Sequence, residues 1–288
     1  MANHLAAKGF SVVSGLWNED EEKPQTECLY GDINDSSYLD RILDGVSLVY
    51  HFAGSTNPQS NKYSFGDELE QTLVPLMRIV DSCKKNKVER IVFPSSGGTV
   101  YRKDIDECFE DSPLLGESPY ANSKIASEFI LRQAALREEL SATVFRIGNP
   151  YGPGQIAKPG QGVVAHWIDA IMNSQPLVVF GNELVSRDFI FVDDACDLME
   201  VATTLETSFD VLNIGSGHAT SLKQIYETLE SVSGKKIEIK IQQSRLADRD
   251  SICLNVDKVL SHKPKFEFTS LQDGLKKAMD SSGVSSKS

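Results

Sequence analysis

Apolar positions along this chain switch between two spacings, and the switching predicts strands and helices in turn. Short apolar runs bounded by glycine, proline or small polar residues fall at 10–13, 27–30, 46–54, 89–94, 142–147, 177–181 and 211–214. Runs of that length rich in Val, Ile and Phe read as strands buried on both faces, the habit of a parallel sheet. Between them apolar residues recur at helical spacing. Residues 1–9 form a short helix stopped by Gly9, and 37–43 another, begun by Asp32 or Asp35. Residues 65–85 carry Leu69, Leu73, Leu76, Met77 and Val80 on one stripe despite Pro75. Further helices are predicted at 163–172, after Asp193 as N-cap, and at 221–232, while 281–288 reads as a flexible polar tail. There is no internal repeat, and the alternation predicts an α/β protein with a doubly wound parallel sheet.

The segment Ser118-Pro119-Tyr120-Ala121-Asn122-Ser123-Lys124 carries the most specific chemistry. Ser118 and Pro119 are a helix entry, and positions four apart on a helix share a face, so Tyr120 and Lys124 point to one side. A fixed ammonium beside a phenol favours the phenolate, and the expectation is that Lys124 draws the Tyr120 pKa down toward the working range. An ordinary amphipathic helix is the competing reading. Context favours chemistry. The strand before this helix ends in Ser95-Ser96-Gly97-Gly98-Thr99, and the strand after it ends in Gly148-Asn149-Pro150. Polar residues at the carboxyl ends of such strands are where open α/β sheets bind ligands.

Four segments in order, Ser95-Ser96-Gly97-Gly98-Thr99-Val100-Tyr101, the tyrosine helix, Arg146-Ile147-Gly148-Asn149-Pro150-Tyr151-Gly152-Pro153-Gly154-Gln155 and Ser186-Arg187-Asp188-Phe189-Ile190-Phe191-Val192-Asp193-Asp194-Ala195, resemble the extended short-chain dehydrogenase/reductases. Within that family the chain is most similar to the NAD-dependent nucleotide-sugar epimerases and dehydratases, from its first residues to about Leu275. The resemblance implies a Rossmann-type sheet with a smaller C-terminal α/β region. Residues 1–150 would bind the dinucleotide, 151–288 mainly the substrate, and about 187–214 would return to the first domain. It implies NAD, with NADP left open, and a UDP-hexose 4-epimerase reaction through a 4-keto intermediate. Tyr120 would take the hydroxyl proton, and Lys124 would hold the nicotinamide ribose. Ser96 or Thr99 would bond the reacting hydroxyl, with Thr99 preferred because the family's hydroxyl register falls on Gly97. Asp32, Ile33, Phe52, Ala53, Gly54 and Ser95 would line the cofactor, with His51 packed in its strand. Asn149, Arg187 and Arg245 would hold the sugar diphosphate, Arg187 alternatively pairing with Asp188 or Asp193. The resemblance also implies a homodimer formed through helices 65–85 and 118–131.

The chain departs from the family in ways that bear on activity. The family's first strand and glycine-rich turn, which bring the pyrophosphate to a helix N-terminus, have no counterpart, so either the start lies further upstream or this is a shortened member with impaired cofactor binding. The acidic ribose anchor is also missing unless Glu19 or Asp20 replaces it, and Thr72 stands where relatives carry an Asn. The loop after Ser95 lacks the acid pair of the dehydratases, which favours epimerase chemistry. A reductase, a decarboxylase or a catalytically impaired nucleotide-sugar-binding remnant are the alternatives.

Composition narrows the partners. Among 288 residues, 41 acidic against 29 basic give a net charge of −12, which disfavours nucleic acid and anionic membrane surfaces. Five scattered cysteines lack metal-ligand spacing, predict no metal site and fit a reducing cytoplasm. No apolar stretch is long enough for a membrane span and no export signal is present.

Overall fold

A computed structural model describes residues 1–19, 23–54, 64–157, 162–243 and 250–285. The chain folds into two compact units, one formed by Met1–Ser96, Gly116–Arg146 and Met199–Leu212, the other by Gly97–Leu115, Ile147–Leu198 and Asn213–Ser288. Residues Gly97–Leu115 thus pack with the second unit although they fall inside 1–150.

The first unit is built on a four-stranded sheet in the order Phe209–Ile214, Ser141–Ile147, Arg90–Ser96, Leu48–Tyr50. Leu48 pairs with Arg90 and Tyr50 with Val92 in parallel register. A separate parallel pair, Val13–Leu16 with Glu27–Tyr30, stands apart from it. Neither Val13–Leu16 nor Leu48–Tyr50 has a second neighbour among the described residues. Among the described residues these strands thus form two separate sheets. One core serves both pieces: Leu29 and Val49, one from each, pack against Tyr38, Leu39, Leu76, Ile79, Ile91, Phe93, Leu131 and Val144. That apolar burial, and no shared hydrogen-bond ladder, holds the two pieces to one cluster.

Several boundaries differ from the sequence reading. The first strand begins at Val13, not at residue 10, because pairing with Glu27–Tyr30 sets its register. Asp35, not Asp32, caps the helix Ser36–Ile42 by accepting from Ser37 N at 2.9 Å. The 65–85 helix is continuous but opens into a π turn over Leu69–Leu73. Pro75 has no N–H and its ring crowds the preceding turn, so a widened turn ahead of Val74–Lys85 absorbs the misfit. Asp193 sits in the first turn of Val192–Met199, since the strand Ser186–Phe191 runs straight into that helix. Residues 281–285, expected as a flexible tail, continue the helix Leu271–Ser285. Leu275 and Ala278 anchor it in a core, and the Ser281 and Ser282 hydroxyls bond back to Ala278 O.

The second unit contains a three-stranded sheet, Ala219–Ser221, Ser186–Phe191 and Asn149–Tyr151, the last two parallel. Leu177–Phe180 pairs in parallel with Ile239–Gln242, and Glu107–Cys108 with Cys253–Leu254. Trp167, Ile168, Leu177, Phe189, Phe191, Ile225, Leu229 and Leu275 fill its core. No helix among the described residues is long and apolar enough to cross a membrane.

Close packing on a glycine gives a direct test of the first unit. A Cβ on Gly31 would stand 2.6 Å from Tyr38 Cγ, and Tyr38 is buried with its hydroxyl donating to Leu29 O at 3.0 Å. Gly31→Ala is expected to cost about 1–3 kcal/mol, read as a lower denaturant midpoint with unchanged slope.

Candidate active site

The strand Arg90–Ser96 and the helix Pro119–Leu136 together position the candidate chemistry. Ser118 Oγ caps the helix by accepting from Ala121 N at 3.1 Å, and Pro119 occupies its first position, where a missing N–H costs nothing. Tyr120 and Lys124 therefore lie one turn apart on the face turned to the strand. Ser96, at the strand's carboxyl end, faces the Tyr120 phenol and favours its ionised form. Lys124 Nζ donates to Pro94 O at 2.9 Å and stands 4.6 Å from the centre of the Phe93 ring and 5.6 Å from that of Tyr120.

The expectation that Lys124 depresses the Tyr120 pKa is overturned. Burial pushes the phenol up to about 12, the Ser96 hydrogen bond pulling it down and the Glu68 charge pushing it further up. Lys124 lies over the tyrosine ring and bonds a main-chain carbonyl, so its charge does not act at the phenol oxygen. Burial also lowers the Lys124 ammonium to about 8, against the charges of Glu68 and Glu128, which raise it.

Two buried carboxyls close the back of the site. Glu128, one turn beyond Lys124, binds the Arg146 guanidinium through Nη2 at 2.7 Å and Nε at 3.1 Å, with both side chains under 10% exposed at 7% and 5%. Ser95 Oγ donates to the same carboxylate. Its hydroxyl is therefore committed to the ion pair, leaving only its main chain for a cofactor. Glu68, 2% exposed, accepts from Ser123 Oγ at 2.9 Å and from Thr72 Oγ1 at 3.1 Å. Sequence reasoning missed all three charged groups. The signal was present: Arg146 is a charge inside an apolar strand, and a buried charge demands a partner on a facing element. His51 is buried, tilted 33° to the Phe93 ring, and held neutral down to about 4 by burial and then by the Lys124 charge.

The remaining first-unit candidates follow the ends of parallel strands. Asp32, half-buried, accepts from Asn34 N at 2.7 Å, and Ile33 packs on the core. Phe52, Ala53 and Gly54 are exposed, Phe52 stacks on Tyr50, and among the described residues no heavy atom lies within 4 Å of where a Gly54 Cβ would stand.

In the second unit, Thr99 Oγ1 is buried with no hydrogen-bond partner among the described residues. Asn149, half-buried, opens its strand with Oδ1 beside Gly98, 3.8 Å from where a Cβ would stand. Arg187 Nη1 donates to Ser186 O at 2.8 Å. Its neighbour Asp188 is committed elsewhere, accepting from Ser216 N, Ser216 Oγ, Gly217 N and Leu254 N at 2.6–3.2 Å. Burial raises its pKa against those bonds. Tyr101 donates to Asn213 Oδ1 at 2.6 Å, and Asn213 Nδ2 bonds Cys108 O and Asn255 O, a buried knot that seats the loop containing Thr99. Arg245 and Asp20 lie outside the described residues.

Comparison with known proteins gives a consistent picture. The family model described as "NAD dependent epimerase/dehydratase family" matches residues 1–215. A dTDP-4-dehydro-6-deoxyglucose reductase of Escherichia coli is 30% identical over 236 residues, covering 82% of this chain and 75% of the relative. A UDP-glucose 4-epimerase of Mycolicibacterium smegmatis is 26% identical over 262 residues, covering 86% and 83%. The solved structure of MoeE5 in complex with UDP-glucuronic acid and NAD superposes with a TM-score of 0.88 at 26% identity, covering 98% and 93%.

Two measurements test the buried charges. Arg146→Met strands the Glu128 carboxylate and is expected to cost about 3–5 kcal/mol of unfolding free energy. His51 has a folded pKa of about 4 against an ordinary 6.5, so the folded state binds fewer protons in that window. The associated stability is present above pH 6.5 and lost as pH falls toward 4. His51→Gln should flatten that acid limb in thermal melts taken across the same range.

Proposed function

Because the chain belongs to the NAD dependent epimerase/dehydratase family, we propose that it catalyses NAD-dependent 4-epimerisation of a nucleotide sugar of the UDP-hexose class. The observation that carries this reading is the placing of Tyr120 and Lys124 one turn apart on the helix Pro119–Leu136, with Lys124 Nζ 5.6 Å from the centre of the Tyr120 ring and bonded to Pro94 O. The nicotinamide-ribose end of NAD fits the residues present. Pro94 O takes one of the three N–H donors of Lys124, which leaves others for a ribose diol. The open side of Gly54 gives a dinucleotide close access to main chain. Asp32 and Ile33 would meet the adenosine end, and the main chain of Ser95 with Phe52 and Ala53 the middle. At the pyrophosphate the described residues offer no glycine-rich turn, and that end is the weaker part of the fit.

When bound, NAD supplies the reversible two-electron oxidation at the sugar C4, and its positive nicotinamide lowers a nearby phenol pKa. Tyr120 accepts the C4 hydroxyl proton and later returns it, so the protein gains no net proton. Ser96 orients the phenol and is the first choice for bonding the reacting hydroxyl, with Thr99 and its unpartnered Oγ1 as the second. Lys124 holds the ribose and keeps positive charge beside the reacting group. On the substrate side, Asn149, Arg187 and Arg245 would bind the diphosphate, the guanidinium forks matching its oxygens. Exposed Leu69, Met77, Phe129 and Leu136 on the two first-unit helices support a homodimer as the working form.

A second reading, reduction of a 4-keto nucleotide sugar, is favoured by the 30% identity to the Escherichia coli reductase. The two differ in cofactor stoichiometry. An epimerase interconverts UDP-glucose and UDP-galactose with catalytic NAD, whereas a reductase consumes one reduced cofactor per product. With added NAD, Tyr120→Phe is expected to lower kcat by about 10²–10⁴ with UDP-sugar binding by calorimetry unchanged. Full turnover by Tyr120→Phe would sink both readings.

A further inference from the structure

The helices carrying Glu68, Tyr120 and Lys124 hold one charge that the mechanism above leaves unused. Glu68 is 2% exposed, its Oε2 is held by Ser123 and Thr72, and its Oε1 is buried with no hydrogen-bond partner among the described residues. A carboxyl in such a place is costly unless a cation compensates it. Ser123, which bonds it, lies between Tyr120 and Lys124 on the tyrosine helix, and its hydroxyl is also 2.8 Å from Tyr120 O. The other charges around Lys124 are accounted for. Glu128 also raises the Lys124 pKa, after Glu68, but it is already gripped by two nitrogens of Arg146 and by Ser95. His51, facing from the neighbouring strand, is uncharged at neutral pH, and Tyr120 and Ser96 are neutral hydroxyls.

We propose that Glu68 is a positioning residue: its carboxylate, clamped by Ser123 and Thr72, is the counter-charge that keeps Lys124 an ammonium beside Tyr120. The charge acts on both members of the pair. It raises the Lys124 pKa against burial, and it raises that of Tyr120, opposing premature ionisation of the phenol before a cationic cofactor arrives. Glu68 and Lys124 together leave the site near electrical neutrality, so the phenol becomes the base when a further positive charge enters. The catalytic meaning rests on the reading of Tyr120 and Lys124 given above; the charge coupling does not.

The test uses the protein without cofactor or substrate. Lysine labelled with ¹³C at Cε reports each ammonium, and Lys124→Arg identifies the signal of Lys124. The wild-type midpoint is expected near 8. In Glu68→Gln it is expected to fall by about one pH unit, and the Tyr120 midpoint, read by ultraviolet difference titration against Tyr120→Phe, should fall as well. A purely structural role for Glu68 would move neither midpoint. An unchanged Lys124 midpoint in folded Glu68→Gln overturns the proposal. Should that variant fail to fold, Glu68→Met removes the charge at similar volume and asks no polar group to be buried. A downward shift there supports the proposal, and an unchanged midpoint overturns it. If Tyr120→Phe retained full turnover while the Lys124 shift held, the catalytic reading would fail and the charge coupling would stand.

Discussion

The helix Pro119–Leu136 can present Tyr120 only because its inner face carries charge that is neutralised inside the protein. Glu128 and Arg146 meet at 2.7 Å between that helix and the strand behind it, and Ser95 joins them from the strand that ends at Ser96. One ion pair thus ties three elements together at the point where the candidate chemistry begins. Breaking either partner would leave a lone charge in an apolar interior, a far larger penalty than the pair's net contribution.

Around that tie the first unit joins two separate sheets. Two parallel pieces, one of two strands and one of four, share an apolar core without sharing a ladder. Tyr38 packs against Gly15 and Gly31 on the smaller piece and bonds Leu29 O, so one aromatic side chain does much of the joining. The second unit has its own organising group in Asp188, whose four donors come from the turn after Ile214 and from Leu254. Its neighbour Arg187 donates to Ser186 O.

The phenol pKa is where local reasoning and tertiary structure part most clearly. A lysine four residues from a tyrosine shares its helix face, and the spacing alone argues for a depressed pKa. Side chains on a helix lean toward its N-terminus, so Lys124 reaches back over the Tyr120 ring and on to Pro94 O. The ammonium therefore stabilises the packing of the ring while burial keeps the proton on its oxygen. Charge supplied by a ligand, held in check by Glu68, completes the pair in the proposed cycle.

Much was legible in the chain itself. Apolar period distinguished strand from helix nearly everywhere, and helix 163–172 and the strand 177–180 follow the pattern to within a residue. The Ser-Pro entry, the four-residue Tyr120–Lys124 spacing and the small residues at strand ends marked the candidate site, because these depend on local backbone geometry. What the sequence could not state were relations across elements. The pairing of Arg146 with Glu128, the burial of Glu68 under Ser123, the commitment of Ser95, and the choice of Ser96 for the phenol all need two segments brought together from afar. The helical end of the chain belongs with them, since Leu275 and Ala278 hold a serine-rich segment in a conformation its composition argues against. Local propensity is decided by a residue and its near neighbours, whereas burial, charge pairing and pKa are set by what the folded chain places opposite them.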